Sequence, residues 1–381
     1  MKRFYFPTQL YSGAGCIEKL FSFLHAGQKV LLITDENLLR TEASSCVQEL
    51  ITQAGAMVTI FSDVMPNPEL HMVCHVAELC RSVQASAVIS LGGGSVMDTG
   101  KVVAMLATQP EPIEPFATGA ALPTRAPLPH YAIPTTCGTG AEASSVAVIS
   151  HQNRKYGLWA ESLYATAAFA DPDLLATLPV RILTETAMDA LSHALESYIG
   201  KDRQAILQAL GLEAARVIIT SLPAARNEDA AAKARLCEAA SMAGIAMGQS
   251  GTGIVHSMSD QLGEQFHLSH GRGIAYLLPL CLRYNLPAAT SQLARVADAI
   301  GAAEMGQSEE EKAEAAVAAV EKLCADCGFS APIAGRAASD AQIDAMSEAT
   351  VRSFITDNNP RVAEKKAISD IFRTLIPERT E

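Results

Sequence analysis

Apolar residues in the first half of the chain come in short runs, each closed by turn or polar residues. The runs are KVLLITD (29–35), MVTIFSD (57–63), AVISLGGG (87–94) and HYAIPTT (130–136). Runs this short, bounded this way, predict buried strands. Amphipathic stretches, 36–54 and 69–84 among them, lie between. Strand–helix alternation of this kind predicts a mostly parallel sheet covered by helices on both faces. SVAVISHQNRKYGLWA (145–160) breaks the rhythm: two β-rich runs joined by HQNR predict a hairpin added to that sheet. Residues 109–129 carry six prolines and predict a surface connection with no element of its own.

After ADPDLLATLPVR (170–181) strand signals disappear and helical periodicity takes over in a sequence rich in Ala, Leu and Glu. The boundary is placed near Pro179, giving an α/β domain at 1–179 and an all-helical domain at 180–381. Within the second, SEEEKAEAAVAAVEKL (308–323) is an amphipathic helix whose acidic start suits the helix dipole.

Composition narrows the class. With 381 residues, 49% of them hydrophobic, the chain has material for two large cores. No apolar run approaches the ~18–20 residues of a membrane span. The opening MKRFYFPTQLYSGAG has no apolar core and no small-residue cleavage site, so it does not read as a signal peptide. A net charge of −12 argues against a nucleic-acid partner. Nine cysteines, odd in number and without framework spacing, fit reduced thiols. The expectation is a soluble cytoplasmic protein with no membrane partner.

SLGGGSVMDTGKVVA (90–104) is the first stretch with chemistry in it: glycines and a serine follow a strand and open a helix. Freed backbone N–H groups and the positive helix end suit a pyrophosphate, although a glycine run also makes an ordinary tight turn. The GxGxxG fingerprint is absent. The acid that would bind a ribose, Asp35, precedes the glycines instead of following them by ~20 residues. IPTTCGTGAEAS (133–144) offers Thr135, Thr136 and Thr139 with two glycines, suited to a phosphate, ribose or amide ligand, or simply to a helix cap.

MDALSHALES (188–197) sets Asp189 and His193 four apart in an apolar helix, so both leave one face. Burying a carboxylate and an imidazole requires compensation. GIVHSMSDQLGEQFHLSHGRG (253–273) holds His256, His267 and His270. Two of these beside Asp189 and His193 would make a three-nitrogen, one-oxygen site suited to Zn²⁺ or Fe²⁺. Two competing patterns read as structural. HMVCHVAEL places His71 and His75 around Cys74 without the glutamate of HExxH, and CADC (324–327) has no second CxxC.

Together and in order, YSGAG, PNP (66–68), GGGSVMD (92–98), PTTCGTGAE (134–142), DPDLL (171–175), MDALSHALESY (188–198), GIVHSM, HGRGIAYLLP and RYN resemble the iron-containing (group III) alcohol dehydrogenase family, to about residue 287. Within it the chain is most similar to short-chain aldehyde reductases of the propanol and lactaldehyde type. The resemblance implies a dehydroquinate synthase-like, iron-type alcohol dehydrogenase fold and metal ligands at Asp189, His193, His256 and His270, for Fe²⁺ or Zn²⁺. It implies pyrophosphate binding by Gly92, Gly93, Gly94 and Ser95 with Asp98 close by. Thr135, Thr136, Thr139 and Lys155 would contact the rest of the cofactor. Asp35 stands where NAD-preferring members carry an acid that accepts from the adenosine ribose and repels a 2′-phosphate. The implied activity is NAD(H)-dependent interconversion of a small primary alcohol and its aldehyde, by a homodimer or larger homo-oligomer.

The departures from the family pattern cluster near the substrate. A histidine usual four residues after the third ligand is Asp260, and the usual proline before the last ligand is Ser269. Either Asp260 or His267 is expected to relay the proton. Arg272 follows the last ligand closely and could recognise an anionic aldehyde such as a sulfonate, phosphonate or carboxylate. Otherwise it pairs with Asp260 or Glu264. A dehydroquinate synthase-like lyase and a non-catalytic member are more distant alternatives. The aspartate-led helix and the complete ligand set argue against them.

Overall fold

The computed structural model describes residues 2–152 and 154–377. Chain contacts divide the described residues into two compact units, with the division between Pro179 and Val180.

The first unit is built on strands β1 (Gln9–Ser12), β2 (Lys29–Ile33), β3 (Met57–Phe61), β4 (Ala87–Gly92), β5 (His130–Pro134), β6 (Val146–His151), β7 (Arg154–Trp159) and β8 (Ala167–Ala170). Six of them form a sheet in the order β1-β8-β5-β4-β2-β3, every pairing parallel. Alternation along β2 shows why both faces are dry: Leu31 and Ile33 enter one apolar cluster while Val30 and Leu32 enter another. β1 and β8 carry no signal in the sequence. Each is four residues long, and QLYS and AAFA lack the β-branched residues that mark a strand.

Helices cover the sheet. Residues 36–54 break at Arg40 and Thr41 into α1 (Glu36–Leu39) and α2 (Glu42–Gln53), followed by α3 (Leu70–Ser82) and α4 (Gly94–Leu106). The proline-rich connection is not wholly irregular, because α5 (Glu114–Ala117) forms within it with Pro115 in its first turn. The hairpin expectation needs a larger correction. β6 and β7 pair antiparallel as a separate two-stranded sheet, touching the helical layer through a bridge between Glu69 and Ser150.

Polar bonds from α4 fasten that hairpin. Asp98 Oδ2 accepts from the Val148 N–H at 3.0 Å. Buried Lys101 donates to Ser144 Oγ at 3.2 Å and to the Val146 carbonyl at 2.7 Å. Burial pushes the Lys101 pKa down to about 8 and that of Asp98 up to about 6, each partly offset by the other's charge. His130 lies nearby with Nε2 2.9 Å from Ser90 Oγ.

The second unit is helical: α6 (Val180–Ile199), α7 (Ala205–Ala225), α8 (Ala230–Ser250), α9 (Ile254–Phe266), α10 (His270–Ile300), α11 (Glu309–Asp326), α12 (Asp340–Arg352) and α13 (Lys365–Leu375). α10 bends at Ala289, two residues after Pro287. α11 opens on a capping box in which Ser308 and Glu311 each bond the other's backbone N–H. The expectation that no apolar run reaches membrane length is corrected by α7, which is 21 residues long and apolar enough to span a bilayer. In the protein it packs against α6 and α8, burying Leu207, Ala214, Ile218 and Leu222 on one stripe.

Candidate active site

α6 is buried along most of its length, and three acidic or imidazole side chains project from one stripe of it. Asp189, His193 and Glu196 lie at i, i+4 and i+7, which is two helical turns. Asp189 Oδ1 is the centre of the cluster. His193 Nε2 lies 3.6 Å from it, and the Nε2 atoms of His256 and His270 each lie 3.5 Å away. Ligands about 2.1 Å from a tetrahedral ion stand about 3.4 Å apart, a spacing close to these, and Asp189, His256 and His270 offer donor atoms that all lie within 4.8 Å of one another. The His193 and His256 rings stack with centroids 4.6 Å apart, an arrangement that puts like donors side by side.

The donor atoms carry the test of fit. Asp189 Oδ1 and His256 Nε2 are buried and have no hydrogen-bond partner among the described residues. Buried polar atoms without partners, 3.5 Å apart, are atoms that a bound cation or water could satisfy. One carboxylate oxygen and three imidazole nitrogens suit Fe²⁺ or Zn²⁺. Burial would raise the Asp189 pKa, but the His193 and His270 charges hold it well below the usual carboxylate range. Burial likewise opposes a charge on His256, yet Glu196 and Asp189 lift its pKa to about 10. His270 is the most open of the four, its side chain 35% exposed.

Backbone packing sets His270 in place. A Cβ on Gly271 would come within 2.3 Å of the Glu185 carbonyl, so only glycine lets the start of α10 lie this close on α6. Ser269, where the family pattern has proline, donates to Glu185 Oε2 at 2.6 Å, and Arg181 donates to Oε1 at 3.0 Å. The departure thus has a structural partner.

Asp260 sits one turn after His256 on α9, on the same face, and is half-buried. His267 caps α9 in the left-handed region (φ 53°) and is exposed. Arg272 is exposed, and among the described residues it forms no ion pair, so the expected pairing with Asp260 or Glu264 is not made. It lies two residues after His270, roughly 200° around the helix, on the side away from the His270 imidazole.

The first unit carries the second half of the candidate machinery. β4 runs into Gly93, the N-cap of α4, whose first turn is Gly94, Ser95 and Val96. This leaves N–H groups at the positive end of a 13-residue helix. A Cβ on Gly94 would meet Thr139 Cγ2 at 2.6 Å, so the glycine turn and the threonine loop pack against each other. Ser95 Oγ accepts from the Asn67 N–H at 3.3 Å, joining the PNP segment to the same turn. Thr135 is buried and its N–H bonds the Gly92 carbonyl at 3.0 Å, whereas Thr136 and Thr139 stay half-open. Lys155 is exposed on β7, opposite Ser150 in the hairpin.

A cleft of about 620 Å³ opens beside the glycine turn, lined by Asp35, Asp63, Met65, Pro66, Gly93 and Ser95 among others. Asp35 caps α1, its Oδ1 accepting from the Asn37 and Leu38 N–H groups at 3.0 Å each. Asp63, which the sequence reading missed, bridges to Asp35 through the backbone and adds a second carboxylate to the cleft wall. Its position at the end of the second strand run, matching that of Asp35 at the end of the first, was the available signal. His71 and His75 are exposed on α3 while Cys74 is buried, so that trio does not converge.

Comparison with known proteins covers both units. The family model for iron-containing alcohol dehydrogenase matches residues 7–172, and the C-terminal model of the Fe-containing alcohol dehydrogenase family matches residues 183–376. The 1-propanol dehydrogenase of Salmonella typhimurium is 32% identical over 99% of this chain and 100% of its own. The NAD-dependent methanol dehydrogenase of Bacillus methanolicus is 31% identical over the same shares. Among solved structures, sulfoacetaldehyde reductase from Bifidobacterium kashiwanohense in complex with NAD⁺ superposes with a TM-score of 0.89 at 26% identity, covering all of both chains. The chain belongs to the iron-containing alcohol dehydrogenase family. It is an NAD-dependent oxidoreductase of alcohols and aldehydes.

Proposed function

We propose that the protein interconverts a small uncharged primary alcohol and its aldehyde, working chiefly as an aldehyde reductase. The observation that carries the reading is the cage of Asp189, His193, His256 and His270, with its orphaned Asp189 Oδ1 and His256 Nε2. When bound, a divalent cation supplies Lewis acidity toward a carbonyl oxygen and reduced nicotinamide supplies hydride.

The chain's own residues do the rest. Asp189, His193, His256 and His270 hold the cation. The N–H groups at Gly94 and Ser95 bind the cofactor's diphosphate, with Gly92, Gly93, Thr136 and Thr139 shaping the turn around it. Thr135 and Asp98 support that turn from beneath, since they bond the backbone of β4 and β6. Lys155 serves the nicotinamide-side ribose. Asp35 and Asp63 accept from adenosine ribose hydroxyls and disfavour a 2′-phosphate. Asp260 moves the proton at the alcohol oxygen, because it shares a helix face with His256, whereas His267 sits exposed beyond the helix end.

One observation favours a second reading, reduction of an anionic short aldehyde of the sulfoacetaldehyde, phosphonoacetaldehyde or succinic semialdehyde type. Arg272 is exposed and has no carboxylate partner among the described residues. Its direction on α10 weighs against it. Steady-state NADH oxidation with propanal and with sulfoacetaldehyde decides between the two. Higher kcat/KM on propanal, unchanged in Arg272→Ala, supports the neutral substrate. A preference for the sulfonate that Arg272→Ala erases replaces it with the anionic one.

A further inference from the structure

Glu196 is 2% exposed, deep in α6, and no sequence motif for cofactor or substrate explains a buried carboxylate there. Its two oxygens receive three donors. Oε1 accepts from the Val255 N–H at 2.9 Å, and Oε2 accepts from Ser192 Oγ at 3.2 Å and from His256 Nδ1. His256 therefore has one ring nitrogen committed to a carboxylate, and the other, Nε2, faces Asp189 Oδ1 with no hydrogen-bond partner. An imidazole that yields a proton to a cation keeps a single N–H, and the nitrogen that keeps it is the one facing the stronger acceptor.

We propose that Glu196 is the positioning residue of the metal site: it keeps the His256 proton on Nδ1, which leaves the Nε2 lone pair directed at the cation. The inference rests on the reading of Asp189, His193, His256 and His270 as a metal cage. Two features single out a carboxylate. Glu196 ties α6, which bears Asp189 and His193, to the first turn of α9, which bears His256. It also needs acceptors on both sides of its head group, and an amide has one. In Glu196→Gln the single carbonyl oxygen can satisfy Val255 or His256 but not both. If it bonds Val255, the amide N–H₂ faces Nδ1, the proton moves to Nε2, and the ligand atom is blocked.

Cobalt(II) is the probe, because its visible d–d bands report both occupancy and tetrahedral geometry. Full-length wild type, Glu196→Gln, His256→Ala and the double variant are titrated with Co²⁺ after chelation, with thermal unfolding of each metal-free protein alongside. Outer carboxylate partners of ligating histidines contribute about 10–100-fold in metal affinity. The expected result is a loss of that size in Glu196→Gln with an altered d–d spectrum, and no further loss when the change is added to His256→Ala. Equal losses in the two backgrounds overturn the proposal, because Glu196 then acts on the fold and not through His256. Wild-type affinity in Glu196→Gln also overturns it. If Glu196→Gln fails to fold, long-range ¹H–¹⁵N spectra of the Zn²⁺-loaded wild type decide: a proton on His256 Nδ1 supports the proposal and its absence sinks it. Failure of wild type to take up Co²⁺ removes the metal cage itself, an outcome distinct from the others.

Discussion

Asp189 Oδ1 faces His256 Nε2 across 3.5 Å of buried space, and neither atom has a hydrogen-bond partner among the described residues. Leaving two such atoms buried without partners is costly, and a cation between them would satisfy both. Zn²⁺ at about 100 times its Kd is expected to stabilise the wild type by ~2.7 kcal/mol. In Asp189→Ala the metal-induced rise in Tm should vanish, which differential scanning fluorimetry with and without Zn²⁺ measures directly. An undiminished rise would place the ion elsewhere.

Asp35 does two jobs that substitution can separate. Its Oδ1 caps α1, while the carboxylate charge lines the cleft beside Asp63. Asparagine keeps the cap and removes the charge, so Asp35→Asn should fold normally and raise the NADPH-to-NADH ratio of kcat/KM by at least about tenfold. Asp63→Asn should add to that shift. Asp35→Ala also loses the cap, about 1 kcal/mol. A ratio indifferent to both charges would mean the adenosine ribose lies away from this cleft.

How much of this was legible beforehand differs between the units. The strand runs at 29, 57, 87 and 130 and the boundary region near Pro179 carry strong local patterns, because buried parallel strands need continuous apolar residues. β8 reads AAFA, and its strand character comes from pairing with β1 and β5, which no local window contains. Asp189 and His193 stand out as polar residues in an apolar helix. Glu196 sits in the same helix but passes as one more glutamate until His256 and Val255, about sixty residues on, are seen against it. Asp63 escaped for a similar reason: a carboxylate after a strand is ordinary, and only the cleft makes it distinctive.

His130 predicts an acid-labile first unit. Burial, helped by the Lys101 charge, pushes its pKa down to about 3 from the usual 6.5. Above pH 6.5 neither folded nor unfolded chain protonates it, and its contribution to stability is complete. As pH falls from 6.5 toward 3 the unfolded chain takes up a proton that the folded chain refuses, so stability is lost at up to ~1.4 kcal/mol per pH unit. Asp98, with its pKa raised to about 6, works the other way between about pH 4 and 6. Urea unfolding of wild type and His130→Gln across pH 7 to 4 isolates the histidine. The variant should show the shallower loss of stability on acidification; parallel curves would refute the assignment.

The most direct test of the account is anaerobic NADH oxidation with propanal by one preparation, first chelated and then reconstituted with Fe²⁺. Negligible turnover in the stripped protein, restored by Fe²⁺ in wild type but not in Asp189→Ala, is the predicted result. Turnover by the stripped wild type equal to that of the reconstituted enzyme would contradict it.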